Sequence, residues 1–472
     1  MAPPQGRARV SSVGLYSEGK RMMHLKLDES RAVGILTFLL LFGVTVTGIF
    51  AAEPTPPYSL SDLIRLALER NPGIAAAKSG IEVATLGIEE ARGERLPVIT
   101  FGSGYLFAPA ERKRLIPRSQ LSDLSRRGKV FNEQIIDLGA ILTIPVYTGG
   151  RITANIELNR LNEVLSRHRL DQTRDDLILN ISSAYYNIAK LGKVVQATEA
   201  SRKSLLESKR VVEARVKAQK AVPADLFKVN TRLASVEQSL IGAKNGVELV
   251  HAALNTLLGE EKPGRRLKIK EDLPRRIEPL DLKRDIDLAL ERRPEYQIVK
   301  KQVEIQQKRV EIEESKRWPQ VFVKGNVLGV GGDRDFFPVT DDETIALRLS
   351  LPIFDEPLRA RIAKERAKLL ERNERLRLYK LKTVFEVEKA HLNVIEAENR
   401  IKLAEAIRKE AAEALRIEQV KFEAGRSTVE FLLDAQRAQL QAEVNYFQAL
   451  SDFNVQKVAL RKAVGSIELP GP

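Results

Sequence analysis

The sequence predicts a mainly α-helical protein with a small β part, built from two copies of one structural unit. Residues 67–72 read ALERNP and residues 289–294 read ALERRP, and the helical pattern that follows ends at Pro97 in one copy and Pro319 in the other. Apolar and polar residues then alternate, which is typical of strands with one apolar face. Long runs almost free of glycine and proline follow and predict long helices. We therefore expect each copy to contain helices, two strands and a helix hairpin.

The repeat divides the chain into three parts. Residues 1–52 are expected to be a signal peptide with an N-terminal extension, because Lys26 and Arg31 precede an apolar stretch that ends in small residues. A retained helical anchor is the alternative for that stretch. Residues 53–270 are expected to form the first repeat, and residues 271–472 the second.

Four segments alternate in the manner of strands. The first repeat places them at about 97–107 and 135–146, and the second at about 320–328 and 344–353. Segments of about ten residues with one apolar and one polar face suit the strands of an outer-membrane barrel.

Two cations fall on the polar faces of the second strand pair. Lys324 and Arg348 alternate with the apolar residues of their segments. They are therefore candidates for lining a pore, and the alternative is a position near the barrel ends, facing water.

The helix hairpins are expected at 151–258 and 357–464. No glycine or proline interrupts the chain from Leu358 to Ala424. A helix of that length spans roughly 100 Å and must pack along other long helices as a coiled coil. Gly425 then interrupts the pattern, and we expect it to mark the reversal of the hairpin.

The strand-to-helix turns also have candidate residues. Gly149 and Gly150 are expected to let the chain turn from strand to helix, and Pro145 and Pro352 lie in matching positions of the two repeats.

Composition excludes several classes of function. The 472 residues include 77 Lys and Arg against 63 Asp and Glu, a net charge of +14, but both signs are mixed along the helices, which is typical of solvated faces. Cysteine is absent, which excludes disulfides, thiolate metal sites, cysteine nucleophiles and a lipidated N-terminal cysteine. The four histidines lack metal-ligand spacing. We expect no enzyme, no cofactor, no metal site and no nucleic-acid partner.

Four strands are too few to seal a membrane barrel. The smallest known barrels have about eight, and an unpaired edge in lipid leaves backbone groups without hydrogen bonds. Several chains must therefore share their strands, and a water-filled interior favours three or more chains. This argument does not by itself fix the number at three.

Several motifs together resemble those of one family. Residues 422–437 read FEAGRSTVEFLLDAQR and resemble a helix-hairpin signature. Residues 144–151 (IPVYTGGR) and 351–355 (LPIFD) resemble the strand-to-helix junction of the same family, and residues 70–72 (RNP) and 289–295 (ALERRPE) resemble its opening motif. Over nearly all of the mature sequence, the chain is similar to the TolC-like outer membrane efflux proteins.

The resemblance implies an architecture and partners. Three protomers would share one 12-stranded barrel in the outer membrane and continue it as a helical tunnel across the periplasm. The hairpin ends would form a closed periplasmic tip, which meets a periplasmic adaptor (membrane fusion) protein bound to an inner-membrane pump of the RND or ABC type. Outer-membrane lipid would surround the strands.

The resemblance also suggests which residues form the tip, namely Lys220, Pro223, Asp225, Gly425, Arg426, Glu430 and Asp434. The first tip lacks the family's glycine, so Pro223 is expected to supply the turn. Glu430 or Asp434 would supply a carboxylate ring on the axis, the alternative being ordinary surface carboxylates near a helix N-terminus. Arg426 or Lys220 would bond to a neighbouring carboxylate, the alternative being solvated cations.

The sequence thus predicts a passive channel, the exit duct of a tripartite efflux pump or a type I secretion system, in the outer membrane and extending into the periplasm. The alternative function is a soluble coiled-coil scaffold or a basic, nucleic-acid-binding helical protein, which would need neither a signal peptide nor lipid-facing strands.

Overall fold

The order of elements repeats once along the chain. A computed structural model describes residues 57–107, 134–276, 279–332 and 339–467, so the predicted signal peptide at 1–52 lies outside the described residues. In chain order the elements are α1 (Leu60–Arg70), α2 (Pro72–Gly93), β1 (Val98–Phe107), β2 (Gln134–Tyr147), α3 (Arg151–Lys217), α4 (Pro223–Leu257), α5 (Leu282–Arg292), α6 (Pro294–Ser315), β3 (Gln320–Gly332), β4 (Val339–Ser350), α7 (Glu356–Glu423) and α8 (Val429–Val464).

Local sequence explains how each repeat begins. Ser59 and Asp62 form a capping box at the start of α1, in which the side chain of each accepts a hydrogen bond from the other's backbone N–H. Asn71 then caps α2, accepting from the N–H of Gly73 at 2.8 Å, and Pro72 occupies the first helical position. In the second repeat Asp281 caps α5 by accepting from the N–H of Arg284 at 3.1 Å.

A glycine ends each repeat and docks on the break between its two short helices. Gly259 and Gly465 follow the return helices α4 and α8 with φ angles of 70° and 72°. A Cβ at Gly259 would lie 2.7 Å from the carbonyl oxygen of Arg70, and one at Gly465 would lie 2.7 Å from the Cα of Arg293. Both positions therefore need glycine for conformation and for space.

The four strands form one antiparallel sheet in the order β1-β2-β3-β4. A register shift lies between Pro145 and Tyr147, so Pro145 sits inside β2 at a bulge and not in the turn where the sequence pattern placed it. Proline has no N–H for the ladder, and a bulge accommodates it.

The bounds of the second strand pair differ from those that the alternation predicted. The sheet continues on β3 to Gly332 and begins on β4 at Val339, while β4 ends at Ser350 instead of at 353. Leu351 and Ile353 continue the apolar alternation, but they are exposed and lie after the strand. Pro352 between them cannot donate a ladder hydrogen bond, which explains why the strand ends before it.

The long helices form one layer in the order α4-α3-α8-α7, with α4 and α7 at its edges. Nearer the sheet, α2 packs on α3, and α6 packs between α3 and α7. Four apolar clusters of described residues line the seams: one around α1 and α3, one around α7 and α8, one at the far end where both hairpins meet, and a small one between α2 and α3. Among the described helices, none has both the length and the apolar character needed to cross a lipid bilayer.

The segment between the repeats crosses the helical layer, and ion pairs connect it to three of the long helices. Arg266 pairs with Glu248 of α4, Glu271 with Lys193 of α3 at 3.8 Å, and Arg275 with Glu405 of α7 at 2.7 Å. The side chain of Glu271 lies directly over Gly192, where a Cβ would come within 2.6 Å of the carboxylate. Gly192 therefore leaves room in α3 for this crossing.

A buried group of charges lies in the second repeat, beside α3 of the first. Arg293 is 7% exposed and binds Glu295 at 3.2 Å and Glu386 at 2.5 Å. Beside this group, burial and the negative charge of Glu295 raise the pKa of Asp175 on α3 from 3.8 to about 7.

The glycines at the repeat ends give a first prediction. Gly465→Ala is expected to lower the free energy of unfolding by about 1–3 kcal/mol, because it forces a left-handed backbone on alanine and an overlap with Arg293. Chemical denaturation followed by circular dichroism measures the change. Gly80→Ala is the matched control, since Gly80 lies in α2 with nothing within 4 Å of its added Cβ. Gly80→Ala is expected to stabilise the protein by about 0.5–1 kcal/mol. Equal changes in the free energy of unfolding for the two variants would contradict the docking of Gly465 on the helix break.

The raised pKa of Asp175 gives a second prediction. Because the folded state holds this proton more tightly than the unfolded chain, its contribution to stability falls as the pH rises from about 4 to about 7. Asp175→Asn removes this loss. Above pH 7 the free energy of unfolding of the variant is therefore expected to exceed that of the wild type by on the order of 1 kcal/mol, a figure that allows for solvent screening. Unfolding is compared across pH, and near pH 4 the two proteins should be equally stable. A difference that stays constant with pH would show that the substitution acts through packing instead.

Candidate functional site

The two helix reversals lie side by side at the end of the helical layer that is remote from the sheet. We call them the tips, residues 218–222 and 424–428. In the first tip Gln219 takes the left-handed backbone, with φ 56°, and in the second Gly425 does so, with φ 69°. Pro223 is the first residue of α4, so it starts the helix and does not form the turn that the sequence pattern assigned to it.

The other predicted tip residues lie close to these reversals. Asp225 is in the first turn of α4, where a negative charge favours the helix N-terminus. Lys220 and Arg426 are exposed, and among the described residues neither forms an ion pair, so the predicted bond from one of them to a carboxylate is not present in one chain. Glu430 and Asp434 lie one turn apart on α8, and both are exposed.

Beneath the tips, a hydrophobic core joins both hairpins. Its buried members come from α3, α4, α7 and α8 and comprise Leu205, Val212, Val229, Leu233, Val236, Leu415, Phe422, Val429, Leu432 and Leu433. Because each of the four helices contributes, neither hairpin end can move alone without exposing apolar surface. The tips are thus one cooperative unit within the protomer.

Arg215 ties the end of α3 to the end of α7. Its guanidinium lies 4.2 Å from the centre of the Phe422 ring and donates to the carbonyl oxygen of Phe422 at 2.6 Å. A second, longer hydrogen bond reaches the carbonyl of Glu423 at 3.4 Å. These carbonyls are at the C-terminus of α7, so the cation satisfies free acceptors and the helix dipole together.

An ion pair closes the opposite side of the tips. The Nζ of Lys228 on α4 lies 2.9 Å from the Oε2 of Glu430 on α8, and this hydrogen bond raises the pKa of Lys228. The pair takes the place of the bond expected from Arg426 or Lys220. It also means that Glu430 has a cationic partner within its own chain.

A third cation lies deeper between the same two helices. The Nε of Arg232 on α4 is buried without a hydrogen-bond partner among the described residues. Burial and the positive charge of Arg437 lower the pKa of Arg232, and the carboxylate of Asp434 opposes that shift. Both carboxylates that the sequence suggested for a ring therefore have a cation of α4 close by.

Gln436 fixes the two hairpins against each other just inside the tip core. It is 4% exposed, and its amide donates to the hydroxyl of Ser204 at 2.8 Å and of Ser208 at 3.0 Å, both on α3. Its carbonyl oxygen has no partner among the described residues and borders a cavity of about 300 Å³ between α3 and α8. This polar contact sets the register between the hairpins.

The strand-to-helix turns form a second group of predicted residues. Gly149 and Gly150 have φ angles of 62° and 87° and precede α3. A Cβ at Gly149 would overlap the carbonyl oxygen of Ser315 and lie 2.8 Å from the Cβ of Trp318, so glycine lets this turn pack on the end of α6. Pro352 lies in the short link between β4 and α7.

Lys324 and Arg348 lie on neighbouring strands and on one face of the sheet. Arg348 is opposite Phe322, and Lys324 is opposite Ala346. Thr143, Asn326 and Thr344 share that face, whereas the other face is mainly apolar.

Sequence reasoning did not find Arg215, Lys228 or Arg232 as parts of the tips. Nothing along the chain distinguishes them, because each is one of many cations on a solvated helix and its partner lies on another hairpin. Gln436 was within the hairpin signature, but its serine partners on α3 were not apparent. In the parts of the chain that the structure describes, no group of three or more His, Asp or Glu residues has the arrangement of a metal site.

Comparison with known proteins gives one consistent result. The chain matches the family described as Outer membrane efflux protein over residues 63–260 and 286–466. It is 22% identical to the cobalt-zinc-cadmium resistance protein CzcC of Cupriavidus metallidurans over 428 residues, 86% of this chain and 90% of CzcC.

Solved structures share the fold. The outer-membrane channel OprN superposes with a TM-score of 0.71 at 19% identity, covering 87% of this chain and 91% of OprN. The CmeC outer membrane channel of Campylobacter jejuni superposes with a TM-score of 0.71 at 16% identity, covering 88% and 87% of the two chains.

The contacts of Arg215 give a third prediction. Arg215→Gln removes the cation over Phe422 and the charge-assisted bond to its carbonyl, which is expected to destabilise the tips by about 1–2 kcal/mol. Amide hydrogen exchange in residues 418–433 should then be about tenfold faster, since 1.4 kcal/mol is a factor of ten in local opening.

Arg210→Gln is the matched control, because Arg210 lies on the same helix and pairs only with Glu207 on its own exposed surface. It should leave exchange at the tips unchanged. Equal exchange rates in the Arg215 variant and the wild type would show that this cation does not hold the tips together.

Proposed function

The chain belongs to the outer membrane efflux protein family, and from that premise we propose that three copies of it form one duct. The protein is an outer-membrane efflux channel with a periplasmic extension, and channels of this family function in tripartite pumps. The family match excludes the alternative of a soluble scaffold or a nucleic-acid-binding protein.

The sheet supports an assembly of several copies. Among the described strands, β1 and β4 each have one edge without a partner. In lipid such an edge leaves a row of unsatisfied N–H and C=O groups, each costing several kcal/mol, so β4 of one copy must pair with β1 of the next. Three copies of this four-stranded sheet give a 12-stranded barrel, wide enough for water.

The helical layer has two unfinished edges as well. On α7, apolar residues spaced by three, four, seven or eight positions are exposed by 46 to 67%, namely Leu378, Leu381, Phe385, Leu392, Ile395, Leu403 and Ile407. At the other edge, α4 exposes Phe227, Ile241 and Leu249. We call these surfaces the α7 stripe and the α4 stripe.

Head-to-tail packing accounts for both stripes. If the α7 stripe of one copy packs against the α4 stripe of the next, a rotation about one axis closes the ring and covers both surfaces. The sheet edges and the helix edges then close in the same direction, since β1 and α4 belong to the first repeat and β4 and α7 to the second. This coincidence is the observation that carries the proposal.

The tips are the closed periplasmic end of the duct in this proposal. The core beneath them, Arg215 on Phe422 and Lys228 on Glu430 hold the two hairpins of each copy together. A periplasmic adaptor protein docks on the exposed tip residues, which include Lys220 and Arg426, and favours the open state by binding it more tightly than the closed one. An inner-membrane pump of the RND or ABC type supplies the energy, and the duct conducts passively.

The α7 stripe gives a fourth prediction, which tests the proposed assembly. Leu381→Glu combined with Phe385→Glu places two charges in the contact, where they lose their hydration without gaining partners. We expect the detergent-purified variant to run as a monomer in size-exclusion chromatography and to form no channels in planar bilayers, whereas the wild type forms trimers that conduct.

Arg416→Glu on the same helix is the control, because Arg416 lies on the face away from Leu403 and Ile407 and pairs with Glu413 along its own helix. It is expected to remain trimeric. Circular dichroism shows whether the stripe variant keeps its helices. A stripe variant that stays trimeric, or a wild type that is a conducting monomer, would refute the proposed closure.

A further inference from the structure

We propose that Lys324 and Arg348 form a positively charged belt that makes the duct prefer anionic solutes over cations. We call this pair, repeated in each copy, the basic belt. The inference rests on the proposed trimeric duct and adds its selectivity.

The strand register places the two side chains together. Phe322 is opposite Arg348 and Lys324 is opposite Ala346, so Lys324 and Arg348 are diagonal neighbours on one face. Such neighbours lie about 7–8 Å apart. Both are close to the helix end of the sheet, because β3 begins at Gln320 and β4 ends at Ser350.

The two faces of the sheet differ in polarity, which tells which one faces water. The face opposite the basic belt carries a continuous apolar surface across all four strands, comprising Ile99, Phe101, Leu142, Ile144, Val323, Ile345, Leu347 and Leu349. A barrel strand in a membrane turns its apolar face to lipid and its polar face to the lumen. Lys324 and Arg348 therefore project into the lumen.

No acidic residue of the described strands lies at the level of the belt on its face of the sheet. The register places Asp137 and Asp342 on that face, but each is at least four residues along the strands from the positions level with Lys324, roughly 13 Å. Glu343 is opposite Val327, on the apolar face. Neither Lys324 nor Arg348 has an ion-pair partner among the described residues. Each copy thus contributes two uncompensated cations at one level of the barrel.

The first repeat provides no counterpart. At the level of the belt, the positions of β1 and β2 on the lumen face are Val98, Thr100, Ile141, Thr143 and Pro145. The charge therefore comes from the second repeat alone, and the belt consists of three basic clusters separated by uncharged strands. The two repeats therefore differ in the charge that they place on the lumen face.

The physical consequence is a ring of like charge in a narrow aqueous passage with low-dielectric walls. Such a ring raises the local concentration of counter-ions and acts as a selectivity filter. Solutes that carry carboxylate, phosphate or sulfate groups would pass the belt more readily than free metal cations. The effect should weaken at high salt, because exposed charges are screened beyond about 3 Å at 1 M.

The experiment is the reversal potential of the trimer in planar bilayers under a KCl gradient. The Arg215→Gln variant, whose tips are expected to open more readily, serves as a second background. We expect chloride to be more permeant than potassium at low salt, and the preference to shrink at high salt. Lys324→Gln and Arg348→Gln, singly and together, should lower the chloride-to-potassium permeability ratio by about twofold or more, because each removes a charge that attracts chloride and repels potassium.

Two controls separate charge from shape. Lys324→Arg with Arg348→Lys keeps the charge and should keep the ratio, and Thr344→Gln enlarges a side chain on the same face without adding charge. A ratio that does not change in the neutral variants, or a wild-type preference that does not depend on salt, would overturn the belt. A wild type that prefers potassium over chloride at low salt would also overturn the belt, even if the variants do not assemble. A wild type that forms no channels at all would instead count against the proposed duct.

Discussion

The structure depends on the edges of the sheet and of the helical layer, which one copy of the chain leaves open. A single chain leaves the outer backbone groups of β1 and β4 without partners and leaves apolar stripes on α4 and α7 open to solvent. The two layers have different reasons to close, since the sheet needs hydrogen bonds in lipid and the helices need to bury apolar surface in water. The open edges of the two layers lie on the same two sides of the protomer, with β1 and α4 on one side and β4 and α7 on the other. One rotation about an axis thus meets two independent physical demands.

The internal repeat supplies the scaffold, and the two repeats differ at the tips and in the strands. Gly259 and Gly465 dock on equivalent helix breaks in the two halves, which keeps the frames alike. The tips differ, because one reverses at Gln219 and the other at Gly425. The strands differ too, because only the second pair carries cations on the polar face. The two repeats thus share one frame and differ at the tips and on the polar face of the sheet, the regions that the proposed duct uses as gate and lumen.

Charge is used differently in three zones of the molecule. In the middle of the helical layer, Arg293 is buried and paired with two carboxylates, which is a costly arrangement that fixes the geometry of the junction. At the tips, Arg215 and Lys228 are partly or fully solvated and hold contacts that an opening motion must break. On the sheet, Lys324 and Arg348 have no ion-pair partners among the described residues, and in the proposed duct they face the solutes.

Much of the fold follows from local pattern. The alternation of apolar residues in the strands, the glycine and proline breaks and the uninterrupted helical runs determined the helices, the four strands and Gly425 as a reversal, because each depends on residues close in sequence. The TolC-like resemblance rested on the same local motifs, and the family match confirms it. The position of Pro145 within β2 and the early end of β4 were missed, since strand ends depend on the partner strand.

Tertiary structure alone decided which side chains meet. Glu430 pairs with Lys228 instead of Arg426 or Lys220, and Gln436 reaches Ser204 and Ser208, because helices far apart in sequence come together only in the folded layer. It also decided that the apolar residues of the α7 stripe do not pack within the protomer. A helical pattern shows that a face is apolar, but the neighbour that covers it is set by the arrangement of whole helices, which no local pattern contains.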